Sequence, residues 1–254
     1  MCSDGECLLS ESHFRTCLLT YSLMENPNTP FELIIKSLTE KAPLKLDVYQ
    51  NVENAFSALK STLKLLESEI SSKISEVDKR VYVKFYARGQ SDLEFNICDD
   101  ILIFSLHSDA FTFPESHQIW KGSYVNANNN RAYCGMISVY NFLTGSIKYN
   151  RLNDQGVLIA RIFINHENHF FVEGKKQLGF LFNDFENAII SDLNIRLITE
   201  TAILHCLEYD IVIPPFDQVK VISVRDMIEK SLSTVISTGK RLGFKLQSEG
   251  DIIK

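Results

Sequence analysis

The sequence predicts an α+β protein in which C-terminal helices flank a mainly antiparallel sheet, preceded by a helical N-terminal extension with one long amphipathic helix. Three observations predict this class. Residues 47–77 contain neither Gly nor Pro and repeat apolar residues at helical spacing. Residues 81–175 contain short apolar runs separated by polar breaks, as antiparallel strands do. A helical pattern returns after about residue 184.

Composition limits the kinds of function to consider. Hydrophobic residues make up 45% of the 254 residues and charged residues 23%, which is typical of a globular protein and argues against disorder. The formal net charge of −6 gives no general attraction to nucleic acid or to an anionic membrane. We therefore expect no membrane partner, and nucleic acid only if the protein is a nuclease.

The cysteines and the first residues bear on the compartment. The six cysteines include no C-x-x-C pair, so their spacing indicates neither a zinc module nor a disulfide scaffold. The sequence begins with an acidic stretch rather than a basic one followed by an apolar run, and no apolar run reaches 18 residues. We expect a reduced protein located in the cytoplasm.

The N-terminal extension is predicted to span residues 1–78, and the α+β core residues 79–254. Residues 1–46 have loosely helical spacing of apolar side chains. Thr29 and Glu32 form a capping box around Pro30, which suits the first helical position because no amide is needed there. The helix that begins there should end before Pro43.

The long helix at 47–77 carries an apolar seam with steps of four and three residues, the repeat of a coiled coil or a helix bundle. Two interpretations fit this seam. It packs against the N-terminal helices and the sheet of the same chain, or it joins two copies in a homodimer. The seam residues are Val52, Phe56, Leu59, Leu63, Leu66 and Ile70.

The strand predictions follow the short apolar runs. The predicted strands are 81–86, 93–98, 101–106 and 133–142, then a hairpin of 156–164 and 169–175 around the polar break 165–168. A short helix is the alternative for 133–142. Because side chains alternate along a strand, Ala160, Ile162 and Ile164 should face the core. Arg161 should then face solvent or a polar site.

The C-terminal third is predicted to alternate helix, strand and helix. A helix should start at Asn183 or Asp184, both good N-cap residues. The strand 219–224 should follow, then a helix starting near Asp226, with 242–254 as an edge strand. The predicted apolar face of the first helix is Phe185, Ile189, Leu193, Leu197, Ile203, Leu204 and Leu207.

One triplet suggests catalysis. Glu173-Gly174-Lys175 at the end of an apolar strand resembles the E-x-K half of the PD-(D/E)xK nuclease pattern. The resemblance implies that Glu173 and a second carboxylate, for which Asp154 is the candidate, hold Mg²⁺ while Lys175 steadies the attacking water or the phosphorane charge. The alternative is that these are solvent-facing charges at a strand end.

Two further polar patterns are interpreted as turns. His166 and His169 offer metal-ligand types, but on a hairpin turn the two imidazoles need not converge. Asp99 and Asp100 lie between two strands, where Asp accepts backbone hydrogen bonds. We predict no metal site from either pattern.

Arginines beside tyrosines indicate a site for a small anion, because a guanidinium binds oxyanions in a fork and an aromatic face stacks. We therefore expect a non-catalytic regulatory or interaction module that binds a small anionic ligand or a protein partner and needs no cofactor. The alternative is a Mg²⁺-dependent nuclease or phosphodiesterase. The predicted ligand-binding residues are Arg131, Tyr133, Tyr149, Arg151 and Arg161.

Overall fold

Helix α1 (Pro30–Ser75) is the longest element in the computed structural model of the chain, which describes residues 29–151, 154–208, 216–221, 223–225 and 227–228. The predicted start is confirmed, since the Thr29 hydroxyl accepts the amide of Glu32 at 3.3 Å. The predicted end before Pro43 is wrong, because α1 continues through it. A proline costs a helix interior about 3 kcal/mol, but it removes one amide only, and good helix formers flank it here.

The residues group in space into two units, 1–46 and 47–254. The second unit includes the seam of α1, so residues 47–75 belong with the sheet. A folding boundary near residue 78 stays a prediction.

The sheet has six antiparallel strands in sequence order, a simple meander. The α+β class with a mainly antiparallel sheet is therefore confirmed. The strands are β1 (Val83–Arg88), β2 (Asp92–Ile97), β3 (Asp100–Leu106), β4 (Cys134–Leu143), β5 (Val157–Asn165) and β6 (Phe170–Gly174).

Shorter helices follow or interrupt the strands. They are α2 (Ser123–Ala127), α3 (Thr144–Lys148), α4 (Gln177–Leu181), α5 (Asp192–Leu207) and α6 (Phe216–Val219). None of the helices in the described ranges is long and apolar enough to cross a membrane.

One face of the sheet packs against the seam of α1 and the inner side of α5. Ala160, Ile162 and Ile164 are buried in this core, so the predicted register of β5 is confirmed. The seam residues from Val52 to Leu66 are buried in the same core. The packing of the seam on the sheet is thus observed, whereas the helical stretch before residue 29, which the same interpretation includes, lies outside the described residues. A homodimer through the seam residues stays a prediction.

The approach of α1 to the sheet is closest at Gly135 of β4. A Cβ atom placed on Gly135 would lie 3.2 Å from Cβ of Val52 and 3.4 Å from Cγ1 of Val48, and closer still to Cγ2 of Val52. The backbone at Gly135 has an ordinary strand conformation, which any residue can adopt. Glycine is required here because helix α1 leaves no room for a side chain.

The other face of the sheet carries a second cluster of aromatic side chains, centred on Phe163 and Phe171, which Phe113 and Phe185 contact. Residues 182–190 run beside β6 and accept its outward hydrogen bonds, with Val172 N 2.8 Å from the Phe182 carbonyl. That edge of the sheet is therefore occupied by an irregular segment.

The predicted strand 219–224 is wrong. Val219 ends α6, Val224 is helical, and the described residues between them are not in a strand. The alternating β-branched residues of this stretch predicted a strand. The β6 edge of the sheet has no place for a further strand, because residues 182–190 already accept its hydrogen bonds.

Helix α5 begins later than predicted. Its N-cap is Ser191, whose hydroxyl accepts the amide of Asn194 at 3.3 Å. Asp184, the predicted cap, instead accepts the amide of Asn187 in a turn. The predicted apolar face is only partly right. Ile203 is buried as predicted, but Leu193, Leu197, Leu204 and Leu207 are exposed, and the rest of the buried face contains Ile195, Ile198, Ala202 and Cys206.

Three predictions fall wholly or partly outside the described residues. The helical stretch before residue 29 and the edge strand 242–254 lie wholly outside them. Of the last predicted helix only Met227 and Ile228 are described, and both are helical.

Candidate functional site

The polar break between β5 and β6 is the centre of a hydrogen-bond network. Asn165 is fully buried, and its carboxamide oxygen accepts the amides of Glu167 and His169, each at 2.9 Å. Its amide nitrogen donates to the Tyr124 hydroxyl at 2.9 Å. Asn165 therefore shapes the turn and fixes Tyr124, because a buried amide must satisfy both its donor and its acceptor.

Tyr124 and Arg131 hold Glu167 from two sides. The Tyr124 hydroxyl donates to one carboxylate oxygen at 2.5 Å, and Arg131 Nε donates to the same oxygen at 3.1 Å. The Arg131 guanidinium also lies 4.2 Å from the centre of the Tyr124 ring. Arg131, one of the predicted ligand-binding residues, is thus fixed by an internal ion pair and an aromatic face.

The ring of Tyr124 connects this network to a row of contacting rings, the aromatic wall, which consists of His169, Tyr124, Phe185 and Phe171. His169 stacks on it with ring centroids 4.6 Å apart, and Phe185 meets its edge at 5.4 Å. His169 Nδ1 lies 3.0 Å from the Phe185 carbonyl, which can only accept, so the proton is on Nδ1. Phe185 continues to Phe171 at 5.1 Å.

A cleft of about 770 Å³ lies beside this wall. Residues of β6 contribute to its floor, residues 114–125 form one side and residues 183–186 the other. The Ser123 hydroxyl joins the two sides by donating to Glu186 at 2.9 Å. The aromatic and titratable side chains that line the cleft are His117, Tyr124, Phe171, Glu173, Asp184, Phe185 and Glu186.

The cleft is acidic as well as aromatic. Glu173 is paired with Arg161, its cross-strand neighbour. Asp184 and Glu186 accept hydrogen bonds from the neutral side chains of Asn187 and Ser123, and within the described ranges neither carboxylate forms an ion pair with Lys or Arg. His117 Nδ1 accepts the amide of Ile119 at 3.3 Å, so a neutral His117 carries its proton on Nε2.

The network shifts two pKa values in opposite directions. Burial, followed by the hydrogen bond with Glu167, raises the pKa of Tyr124 to about 12. Burial also acts to raise the pKa of Glu167, but the hydrogen bonds from Tyr124 and Arg131 outweigh it and hold that pKa below its ordinary value. At neutral pH the pair is therefore a neutral phenol and a carboxylate.

We expect Tyr124 to make folding sensitive to alkaline pH. Above pH 10 the phenol ionises in the unfolded chain but stays protonated in the fold until about pH 12, so rising pH favours unfolding. Relative to Tyr124→Phe, the wild type should lose on the order of 1–2 kcal/mol of unfolding free energy between pH 9 and pH 12. Urea unfolding across this range measures the difference; parallel pH curves for the two proteins would contradict it.

The structure places the five predicted ligand-binding residues in three different regions. Arg131 contacts Tyr124 and Glu167, as above, and Tyr133 directly follows the helical turn that contains Arg131. Arg161 lies in the middle of β5, opposite Glu173. Tyr149 and Arg151 follow α3, with the guanidinium 5.8 Å from the Tyr149 ring.

Each of the three arginines is paired with a carboxylate of its own chain. Arg131 pairs with Glu167, Arg161 with Glu173, and Arg151 Nη1 lies 3.2 Å from Asp154. An anionic ligand would compete with these internal pairs, so the geometry does not favour the predicted anion site. The anion site remains an untested prediction.

The residues of the nuclease alternative are held by different partners. Asp154 accepts a hydrogen bond from Ser146 of α3 at 2.6 Å. In the sheet, Glu173 of β6 lies opposite Arg161 of β5, and Arg161 lies opposite Ser138 of β4. Lys175 is exposed, and its amide donates to the Ile159 carbonyl at 3.1 Å.

The contacts of the two carboxylates differ: Asp154 meets Ser146 and Arg151, whereas Glu173 meets Arg161. A shared Mg²⁺ would need oxygens of both carboxylates within ~2.0–2.1 Å of one ion. The arrangement therefore does not favour a shared cation, and catalysis remains a prediction that a nuclease assay would decide.

Sequence reasoning missed Asn165, Glu167 and His169 as a structural unit. The signal was present, because four polar residues interrupt an otherwise apolar hairpin, but their partners lie about 40 residues away in Tyr124 and Arg131.

Asp100 accepts a hydrogen bond from Asn141 at 3.1 Å beside the turn between β2 and β3, where we expected turn chemistry. In the described part of the chain, no three His, Cys, Asp or Glu side chains are grouped so that they could hold a metal ion.

Set against protein-family models, curated proteins and solved structures, the chain shows no significant match in any of the three comparisons.

Proposed function

We propose that the protein is a non-catalytic binding module whose cleft takes a small ligand with a flat apolar ring and a positively charged group. The observation that supports this most directly is the combination of aromatic rings and exposed carboxylates around one concave surface. Its volume of about 770 Å³ lies within the usual range for small-molecule sites, ~300–1,000 Å³.

The aromatic wall accounts for the ring of the ligand. Phe171 and Phe185 have a fixed geometry because their rings contact each other, whereas both faces of Tyr124 are already covered, one by His169 and the other by the Arg131 guanidinium. Phenylalanine rings held in this way stack a flat ligand at small entropic cost.

The carboxylates account for the charge of the ligand. Asp184 and Glu186 lie on the same side of the cleft and are exposed, so a cation reaches them without burying an unpaired charge.

Two probes with the same ring and opposite charges test the proposal: tryptamine and indole-3-acetate. We expect tryptamine to bind with the lower Kd and to shift the NMR signals of Phe171 and Phe185. Asp184→Asn and Glu186→Gln keep the shape and remove the charge, so each should raise the Kd for tryptamine about 2- to 5-fold, the effect of ~0.5–1 kcal/mol.

The control is Glu208→Gln, which removes an exposed carboxylate at the end of α5, outside the cleft lining. It should leave tryptamine binding unchanged. Tighter binding of indole-3-acetate would show that the ligand charge is assigned with the wrong sign. If neither probe shifts cleft signals, the binding function itself is rejected.

A further inference from the structure

Helix α5 is apolar on two opposite sides. Ile195, Ile198 and Ala202 on its inner side are buried against the sheet core. Its outer side carries four leucines, spaced so that they lie within one helical stripe. These are Leu193, Leu197, Leu204 and Leu207, which are 43 to 67% exposed.

Such a stripe is unusual for a helix at a protein surface. A surface helix normally has polar residues on its outer side, whereas a helix that is apolar on both sides is packed between two layers. Four exposed leucines in one stripe, interrupted by Glu200 near its middle, indicate a contact surface. The outer side of α5 therefore lacks a covering layer in the described structure.

The chain after α5 carries apolar side chains that suit this surface. Within residues 216–228, the apolar side chains whose exposure is described are 56 to 83% exposed. The exposed residues are Phe216, Val221, Val224, Met227 and Ile228. Two apolar surfaces of the same unit are thus open at once.

The connection between the two surfaces is short enough to bring them together. Nine residue steps separate Leu207 from Phe216 and span at most about 30 Å. The 16 residues of α5 extend about 24 Å. Residues 216–228 can therefore reach any part of α5, at the millimolar effective concentration of a short tether.

A second copy of α5 suits the stripe less well. Glu200 lies midway between Leu193 and Leu207, and it is paired with Arg196 of the same helix at 2.8 Å. In a symmetric antiparallel pair of α5 helices, Glu200 would face the Glu200 of the other copy. Like charges at the centre of an apolar contact oppose association.

We propose that residues 216–228 pack their apolar side chains against the outer side of α5 in the same chain. This contact buries both apolar surfaces. The C-terminal segment is thus an intramolecular partner of α5. The driving force is the removal of exposed leucine, valine and isoleucine from water.

Hydrogen exchange on the full-length chain tests the contact. We expect the amides of residues 216–228 to lose at least 5-fold in protection when Leu197→Lys and Leu204→Lys are combined. Both leucines are exposed, so the rest of the fold should be unaffected. The control combines Leu33→Lys with Leu38→Lys, two other exposed leucines, and should leave these amides unchanged.

A photo-crosslinking residue at position 204 identifies the occupant. We expect cross-links to peptides of 216–228 in protein of monomer mass. Cross-links at dimer mass would show that a second copy covers α5, and cross-links elsewhere in the chain would show another segment. Either of these results, or exchange in 216–228 that is equal in the Leu197/Leu204 variant and the wild type, would overturn the proposal.

Discussion

Replacing Leu63 by Asp is expected to abolish folding. Leu63 is fully buried between α1 and the sheet, in the core that contains Leu59 and Leu66. Truncating such a leucine costs about 2–5 kcal/mol, and burying an unpaired carboxylate adds several more. The sum approaches the entire stability of a typical domain, about 5–15 kcal/mol. Circular dichroism should show no cooperative thermal transition.

The matched control is Leu65→Asp on the neighbouring, outward side of the same helix. Leu65 is 51% exposed, so this variant should melt within a few degrees of the wild type. Light scattering adds a test of the homodimer. A Leu63→Asp protein that stays folded at half the wild-type mass would mean that the seam joins two copies, contrary to its packing in the core.

The second large effect is expected from Gly135→Ala. The added methyl group would collide with Val52, which cannot turn away because a β-branched side chain has one preferred rotamer in a helix. Overpacking of this kind costs ~1–3 kcal/mol, although Ala suits a strand better than Gly does. Urea unfolding should show a lower midpoint at an unchanged slope.

A second substitution makes this prediction specific to the contact. Val52→Ala removes the methyl groups that meet Gly135, so the double variant should be more stable than the sum of the two single effects predicts. Gly122→Ala is the control. Its added Cβ meets only the Ile119 carbonyl oxygen, at 3.5 Å, and stability should hardly change. Additive effects at 52 and 135 would show that the helix does not rest on β4 there.

The hairpin shows why some local patterns were sufficient. Alternation along β5 placed Ile162 in the core and Arg161 outside it, because a strand reverses its side chains at every residue. The ends of β1 to β6 also lie within two residues of their predicted positions. Polar turns end these runs, so local chemistry decides them.

Helix α5 shows where local patterns fail. Apolar residues recur on both of its sides, so periodicity alone cannot tell which side meets the sheet. The sequence pattern favoured the side with Leu193 and Leu197, whereas the sheet contacts the side with Ile195 and Ile198. The smaller and β-branched side chains fit the close approach to the core.

The sequence by itself determined the helical seam, the antiparallel strands and the register of the hairpin, because each depends on neighbours along the chain. Only the tertiary structure decided which partner each charged residue has. Glu167 meets Tyr124 and Arg131, and Arg161 meets Glu173, through contacts between residues distant in sequence. The cleft and its charge depend on such pairings. They follow from the order of the strands and the path of the loops, which no local pattern encodes.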